Sequence, residues 1–229
     1  MERGIVRRVK EIARALSFTG GGAADAPLNF KRLHRIRKRV LRVAAALAFL
    51  LVLFNRSAWP AGSLVYEITV RGGILLLATA VGGRIWVWAH LGRNRRWHFV
   101  SDGPYSIVRH PLYAFSILGA AGVGAQSGSL LVTVLFAFAV WAVFNRIARI
   151  EETDMASRFG DLYRAYLTRT PRFVPNPALW TAPPVISVEY AYVFVCLRDT
   201  AWFLLAVPGF MAIDWGQEVG LLPILFRLP

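Results

Sequence analysis

The sequence DGPYSIVRHPLY places an arginine, a histidine and two tyrosines around the expected start of a helix. Pro111 suits the first helical position because its missing N–H would be unpaired there in any case, and it holds the preceding His110 extended. Arg109, His110 and the free N–H groups of the first turn should therefore converge at a positive helix end, which can bind an anion. Tyr105 and Tyr113 could hold a cation on their aromatic faces. The alternative is that these side chains are only anchors at a membrane interface.

A second group of candidate residues is the adjacent pair Glu151 and Glu152. Two short apolar runs separate this pair from His110, and they join at Gly124–Gly128, whose composition favours a turn. We expect the resulting hairpin to return the chain to the same membrane face, so that the histidine and the glutamates share one pocket. The alternative for the glutamates is a pair of surface salt bridges.

The residues that follow this pair predict an amphipathic helix along the membrane surface. Apolar side chains repeat there at helical spacing, namely Met155, Phe159, Leu162 and Tyr166. For Phe159, Tyr163 and Tyr166, a packing role is favoured over a catalytic one.

Membrane helices are the elements that must position these residues. The 229-residue chain is 56% hydrophobic and 17% charged, whereas about a quarter of the residues in a soluble domain are charged. A membrane-spanning helix needs about 20 apolar residues. Five runs approach that length, at 40–55, 64–91, 112–127, 129–148 and 190–213. The predicted fold class is therefore all-α, a polytopic membrane helical bundle with about five transmembrane helices.

Charged residues lie inside these apolar runs, among them Glu67, Arg71 and Arg84 in the second run and Arg198 and Asp199 in the fifth. Glu67 and Arg71 are spaced i,i+4 on one helix and can neutralise each other. Arg198 and Asp199 are adjacent, and a structural ion network is favoured for them over a transport relay.

The chain divides into three predicted parts. Residues 1–39 form a basic amphipathic segment that we expect to lie on an anionic leaflet, the alternative being a solvated tail. Its apolar face consists of Ile5, Val9, Ile12 and Leu16. Residues 40–180 form the membrane core, with the candidate site within 98–175. Residues 181–229 form a C-terminal membrane helix and tail.

The charge distribution indicates a membrane surface rather than a nucleic acid as the partner of the basic residues. The net charge is +14, and of 27 Lys and Arg residues 12 lie in 1–42, four in 92–110 and six in 145–175. The positive-inside rule places these segments, and with them the candidate site, in the cytoplasm. The single cysteine, Cys196, excludes an intrachain disulfide and a cysteine-rich metal site, and we predict no metal. No secretory signal is recognised at the N-terminus.

Taken together, these residues resemble the isoprenylcysteine carboxyl methyltransferase family of integral membrane enzymes. The resemblance covers about 65–175 and consists of an ordered set of short motifs. These are RIWVWA at Arg84–Ala89, Leu91-Gly92-Arg93, GPYSIVRHPLY at 103–113, Glu151-Glu152, Phe159-Gly160, Tyr163, Tyr166 and Arg169–Pro175.

The resemblance implies transfer of a methyl group from S-adenosylmethionine to a lipophilic small-molecule or lipidated acceptor. The acceptor group would be the carboxylate or thiol of a prenylated or lipid-like molecule. The residues that this implies for the cofactor pocket are His98, Phe99, Val100, Tyr105, Arg109, His110, Pro111, Leu112, Tyr113, Glu151 and Glu152. Arg146, Arg149 and Arg172 are close enough in sequence to contact an anionic acceptor. In-line methyl transfer depends on positioning, so no catalytic acid or base is assigned.

One position departs from the family pattern. The family usually has a glycine two residues after the RHPxY tyrosine, and Phe115 stands there in this chain. We expect its ring to narrow the path of the cofactor or the acceptor. Two alternatives remain open: an NADPH-dependent membrane reductase of the steroid 5α-reductase type, and a non-catalytic lipid-binding protein whose pocket Phe115 blocks.

Overall fold

The computed structural model describes residues 52–91, 99–182 and 190–229. The predicted N-terminal amphipathic helix, most of the first apolar run and His98 lie outside the described residues. The described part is mostly helical.

Helix α1, Leu64–Leu91, confirms the second predicted run at both of its ends. Its 28 residues extend about 42 Å at 1.5 Å per residue, which is enough to cross a bilayer. The Glu67 carboxylate forms an ion pair with the Arg71 guanidinium at 2.9 Å, as the i,i+4 spacing predicts. Leu77, Ala80 and Val87 form the buried face of this helix.

The predicted hairpin is confirmed. The short helix α2, Pro104–Ile107, precedes α3, Pro111–Ala125. A turn with Gly128 at φ 67° then leads into α4, Leu130–Arg169, and the Ser129 side chain caps α4 by accepting a bond from the Val132 N–H. Helix α3 also packs closely on α1, because Gly122 leaves space for Leu77.

Helix α4 corrects the prediction of two separate elements at 129–148 and after Glu151. It runs through 40 residues, with one kink at Gly160, where φ is 55°. The apolar pattern ends near 148, but no proline or glycine lies between there and Gly160 to end the helix. At about 60 Å the helix is twice as long as the bilayer is thick. Its apolar first half is the candidate membrane-spanning segment, and the half from Glu151 onward extends beyond it.

The fifth predicted run is not one span. It divides into α5, Tyr190–Leu204, and α6, Ala206–Glu218, with Leu205 between them. Pro208 explains the interruption, since it has no N–H to donate to the carbonyl of Leu204. Among the described residues, two helices, α1 and α4, are long and apolar enough to cross a membrane, and α3 is a shorter apolar helix. The described residues thus confirm two of the five expected crossings by length and composition, and most of the first predicted run lies outside them.

A two-stranded parallel sheet was not predicted by the all-α assignment. Strand β1, Asn55–Ser57, pairs with β2, Phe226–Leu228, in the register Asn55 to Phe226. The Gln217 side chain of α6 donates to the carbonyls of Leu53 and Asn55. These strands of three residues are too short to leave an alternating pattern in the sequence.

Candidate active site

A cavity of about 310 Å³ lies where α3 begins and α4 passes beside it. The structure places nine of the eleven predicted pocket residues around it: Phe99, Val100, Tyr105, Arg109, His110, Pro111, Leu112, Tyr113 and Glu151. Five further residues complete the lining: Leu91, Asp154, Met155, Tyr163 and Tyr166. Their role in holding a cofactor stays a prediction.

The start of α3 has the predicted local geometry. Pro111 is the first helical residue, and His110 is the N-cap, with φ −125° and no side-chain capping bond. The backbone N–H groups of Arg109 and His110 donate to the carbonyls of Pro171 and Arg172, at 2.8 and 3.3 Å. The segment after α4 therefore holds the RHP sequence extended and sets the direction in which its side chains leave the backbone.

Glu152 lies behind the cavity wall rather than in it. Its carboxylate is 8% exposed and accepts bonds from Arg109 Nη1 at 2.9 Å, His110 Nε2 at 3.1 Å and Arg172 Nη2 at 2.6 Å. Burial opposes ionisation of this carboxyl, but the hydrogen bonds from His110 and Arg172 and the charge of Arg109 outweigh it and lower its pKa to about 2. Glu152 is therefore a permanent anion that joins α3, α4 and the segment after α4.

This cluster changes the expected role of two arginines. Arg109 is bound to Glu152 and also donates to the carbonyl of Thr170. Arg172 binds both Glu152 oxygens and donates to the Asn145 side chain at 3.2 Å. Both guanidinium groups are thus committed to neutralising a protein carboxylate.

Glu151 differs from its neighbour in facing the cavity, with a side chain 42% exposed. The Tyr113 hydroxyl donates to Glu151 Oε1 at 2.7 Å, and His110 Nδ1 lies 3.9 Å from Oε2. The Tyr113 ring stacks between His110 and Phe144, with centroid distances of 5.4 and 4.4 Å. The arrangement fixes a carboxylate at the edge of the cavity, which suits a cationic or hydroxyl-bearing ligand.

A second aromatic cluster lines the cavity; the sequence favoured packing for its two tyrosines, Tyr163 and Tyr166, and predicted Phe99 as a pocket residue. Phe99 meets Tyr163 and Tyr166 edge-on, at centroid distances of 5.3 and 5.0 Å. The Tyr166 hydroxyl donates to the carbonyl of Tyr105 at 2.7 Å. Burial raises the pKa of both tyrosines, that of Tyr163 to about 12, so both hydroxyls stay protonated.

For two of the lining residues that were not predicted, the sequence held a signal that could have placed them at the cavity. Asp154 and Met155 follow Glu151 by three and four residues, so on a continuous helix they share its face. The sequence favoured a surface helix at 151–169 that is separate from the membrane span, and for that reason the face that Asp154 and Met155 share with Glu151 was not predicted.

Comparison with known proteins gives matches over the core of the chain and over almost its full length. The family model described as Phospholipid methyltransferase matches residues 69–162. The Protein-S-isoprenylcysteine O-methyltransferase of Schizosaccharomyces pombe is 35% identical over 83 residues, 36% of this chain and 35% of that protein. Protein-S-isoprenylcysteine O-methyltransferase B of Arabidopsis thaliana is 32% identical over 108 residues, 45% of this chain and 54% of that protein.

Similarity over almost the full length is found with another protein. The Cobalt-zinc-cadmium resistance protein CzcN of Cupriavidus metallidurans is 33% identical over 207 residues, 90% of this chain and 94% of that protein. No solved structure matches. The chain belongs to the isoprenylcysteine carboxyl methyltransferase family. This is a family of membrane methyltransferases, and helices α1 and α4 agree with an integral membrane protein.

The departure of this chain from the family pattern at Phe115 has a structural explanation. The Phe115 ring packs against Gly83 of α1, in space that a Cβ atom on Gly83 would occupy. Phe115 is absent from the cavity lining. Phe115 therefore does not narrow this cavity, and its expected effect on the path of an acceptor stays a prediction.

The structure does not bring the predicted acceptor-binding arginines together at the cavity. Arg146 and Arg149 are exposed on α4 and do not line the cavity. Arg172 is paired with Glu152. In the described part of the chain, no group of three or more His, Cys, Asp or Glu side chains is placed to hold a metal ion.

Proposed function

We propose that the protein transfers a methyl group from S-adenosylmethionine to a lipophilic acceptor at the cytoplasmic face of the membrane. The observation that carries this proposal is the cavity shared by the start of α3 and Glu151 of α4. Membership of a methyltransferase family supplies the reaction class, and the cavity supplies a place for it.

The lining of this cavity suits the proposed cofactor. Its volume of about 310 Å³ is at the lower end of the range for small-molecule sites, roughly 300–1,000 Å³. Glu151 offers a carboxylate to an ammonium group or to ribose hydroxyls, and the ring of Tyr105, which also lines the cavity, suits a sulfonium. When bound, S-adenosylmethionine supplies an electrophilic methyl group on that sulfonium.

The contribution of the protein is positioning. Glu152 fixes Arg109 and His110, and Tyr113 fixes Glu151, so the polar part of the wall is set before any ligand arrives. Preorganised groups of this kind accelerate a displacement by holding the reacting atoms in line and excluding water. A carboxylate acceptor needs no base, whereas a neutral thiol must lose its proton during the transfer.

The surroundings of the cavity support a lipophilic acceptor. Leu91, Leu112 and Met155 make part of the wall apolar. Helices α1 and α4 carry exposed apolar side chains, including Leu75 and Phe138, on surfaces that a bilayer would cover. The basic segments around the cavity favour a cytoplasmic orientation and contact with anionic lipid.

Similarity to CzcN suggests a physiological setting. The name of that protein attributes to it cobalt, zinc and cadmium resistance. We propose that methylation of a membrane component is the contribution of this chain to such resistance. Restored growth on cadmium by the wild type, but not by His110→Ala, in cells lacking the chain supports this setting, and equal restoration by both contradicts it.

Binding of S-adenosylhomocysteine to the purified protein in detergent tests the proposed activity. We expect saturable binding to the wild type and a loss of at least about tenfold in affinity for His110→Ala and Glu151→Ala. Arg164→Ala is a matched control, since Arg164 is exposed on the same helix and, among the described residues, pairs only with Asp161. Binding of NADPH instead, or equal affinity in all variants, contradicts the proposal.

A further inference from the structure

Tyr163 differs from the other tyrosines of the cavity in what its hydroxyl contacts. The Tyr166 hydroxyl donates to the Tyr105 carbonyl, and the Tyr113 hydroxyl donates to Glu151. In the part of the chain that the structure describes, the Tyr163 hydroxyl has no hydrogen-bond partner, although the residue is 4% exposed and lines the cavity.

The Tyr163 oxygen is not among the buried side-chain atoms that lack a partner in the described part of the chain, so it reaches the cavity space instead of being closed off by protein. The Tyr163 ring is well packed, edge-on to Phe99 and 5.7 Å from the Tyr166 ring. A phenylalanine would make the same ring contacts but would present no hydrogen-bonding group to the cavity. Packing therefore accounts for the ring of Tyr163 and not for its oxygen.

The surroundings of the hydroxyl indicate which partner it would take. Burial raises the pKa of Tyr163 to about 12, and the neighbouring charges of Glu152 and Glu151 act in the same direction. The hydroxyl therefore stays protonated and is available as a hydrogen-bond donor. Its partner must be an oxygen or nitrogen acceptor that enters the cavity.

The two aromatic clusters of the cavity lining suggest which part of a ligand lies near this hydroxyl. Tyr113 stacks with His110 next to the Glu151 carboxylate, which suits the charged end of a ligand. Phe99, Tyr163 and Tyr166 form the other cluster, which suits a flat heterocycle.

We propose that the Tyr163 hydroxyl donates a hydrogen bond to an acceptor atom in the adenosine part of the methyl donor, and that it contributes to cofactor affinity. This inference rests on the proposed function. Tyr163 is accordingly a binding residue as well as a packing residue. It takes no part in moving a proton.

Tyr163→Phe and Tyr166→Phe form a matched pair that tests this assignment, with thermal unfolding of the ligand-free protein as one readout. Tyr163→Phe removes a hydroxyl without a partner, so we expect the unfolding midpoint to stay the same or rise. Tyr166→Phe removes the bond to the Tyr105 carbonyl, so we expect its midpoint to fall.

Affinities for S-adenosylhomocysteine and for adenosine are the second readout. We expect Tyr163→Phe to weaken both by a similar factor, about 3- to 10-fold, as for loss of one neutral hydrogen bond. Three results overturn the inference: unchanged affinities, weaker binding of S-adenosylhomocysteine alone, or a fall in midpoint as large as that of Tyr166→Phe. If the wild type binds neither ligand, the proposed function fails and this inference fails with it. Wild-type binding that Tyr163→Phe leaves intact overturns this inference alone.

Discussion

Glu151 and Glu152 are adjacent in the sequence and belong to two different regions of the molecule. Glu152 lies in a closed cluster in which one buried carboxylate binds three cationic or histidine side chains. Glu151 lies on an open wall, where Tyr113 holds one of its oxygens and the rest of the carboxylate faces the cavity. The difference teaches that the first region fixes geometry and the second meets the ligand. Substitutions should therefore affect stability in the cluster and binding on the wall.

The largest expected effect is that of Glu152→Ala on stability. Removing the carboxylate leaves Arg109 and Arg172 close together and unpaired in a mostly buried cluster. We expect a loss of about 3 kcal/mol in the free energy of unfolding, as for one partner removed from a buried ion pair. Denaturant unfolding in detergent measures it. A loss below about 1 kcal/mol would show that the cluster does not hold the fold together.

The pH dependence of stability separates the same two regions. The pKa of Glu152 is lowered from 4.5 to about 2 in the folded protein, so its contribution is complete above pH 4.5 and is lost as the pH falls through about 2. We expect the unfolding midpoint to fall over this range. Glu152→Gln should flatten the pH profile. A Glu152→Gln profile as steep as that of the wild type contradicts the assignment.

Glu151→Gln should weaken ligand binding more than it lowers stability, which is the reverse of the effect expected for Glu152→Ala. The amide oxygen can still accept from Tyr113, so the fold keeps that bond, but the charge that faces the cavity is gone. We expect about tenfold weaker binding of S-adenosylhomocysteine, roughly 1.4 kcal/mol, with little change in the unfolding midpoint. Calorimetry and thermal unfolding on the same sample check both. A large loss of stability with intact binding reverses the roles of the two glutamates.

The smallest expected effect is that of Tyr113→Phe. It removes the 2.7 Å bond to Glu151 and keeps the stacked ring. We expect about threefold weaker binding, because Glu151 loses its anchor but not its charge. An effect larger than that of Glu151→Gln means that Tyr113 touches the ligand itself.

Much of this arrangement could be predicted from the sequence, but the different roles of Glu151 and Glu152 could not. Pro111 fixed the start of α3, and the hairpin brought His110 to the glutamates. On a helix, adjacent residues point about 100° apart, so only the packing of α4 decides that Glu152 turns inward and Glu151 toward the cavity. The pairing of Phe115 with Gly83 joins two helices and leaves no local signal. The missing partner of the Tyr163 hydroxyl is likewise a property of the folded chain alone.

A structure determined with S-adenosylhomocysteine bound tests the central claim most directly. We predict that the ligand occupies the cavity between the start of α3 and Glu151 of α4, with its adenosine next to Phe99 and Tyr163. Glu152 should keep its bonds to Arg109, His110 and Arg172 in that complex. A ligand bound elsewhere, or a ligand that takes Glu152 away from these partners, would contradict the division between a closed cluster that positions and an open wall that binds.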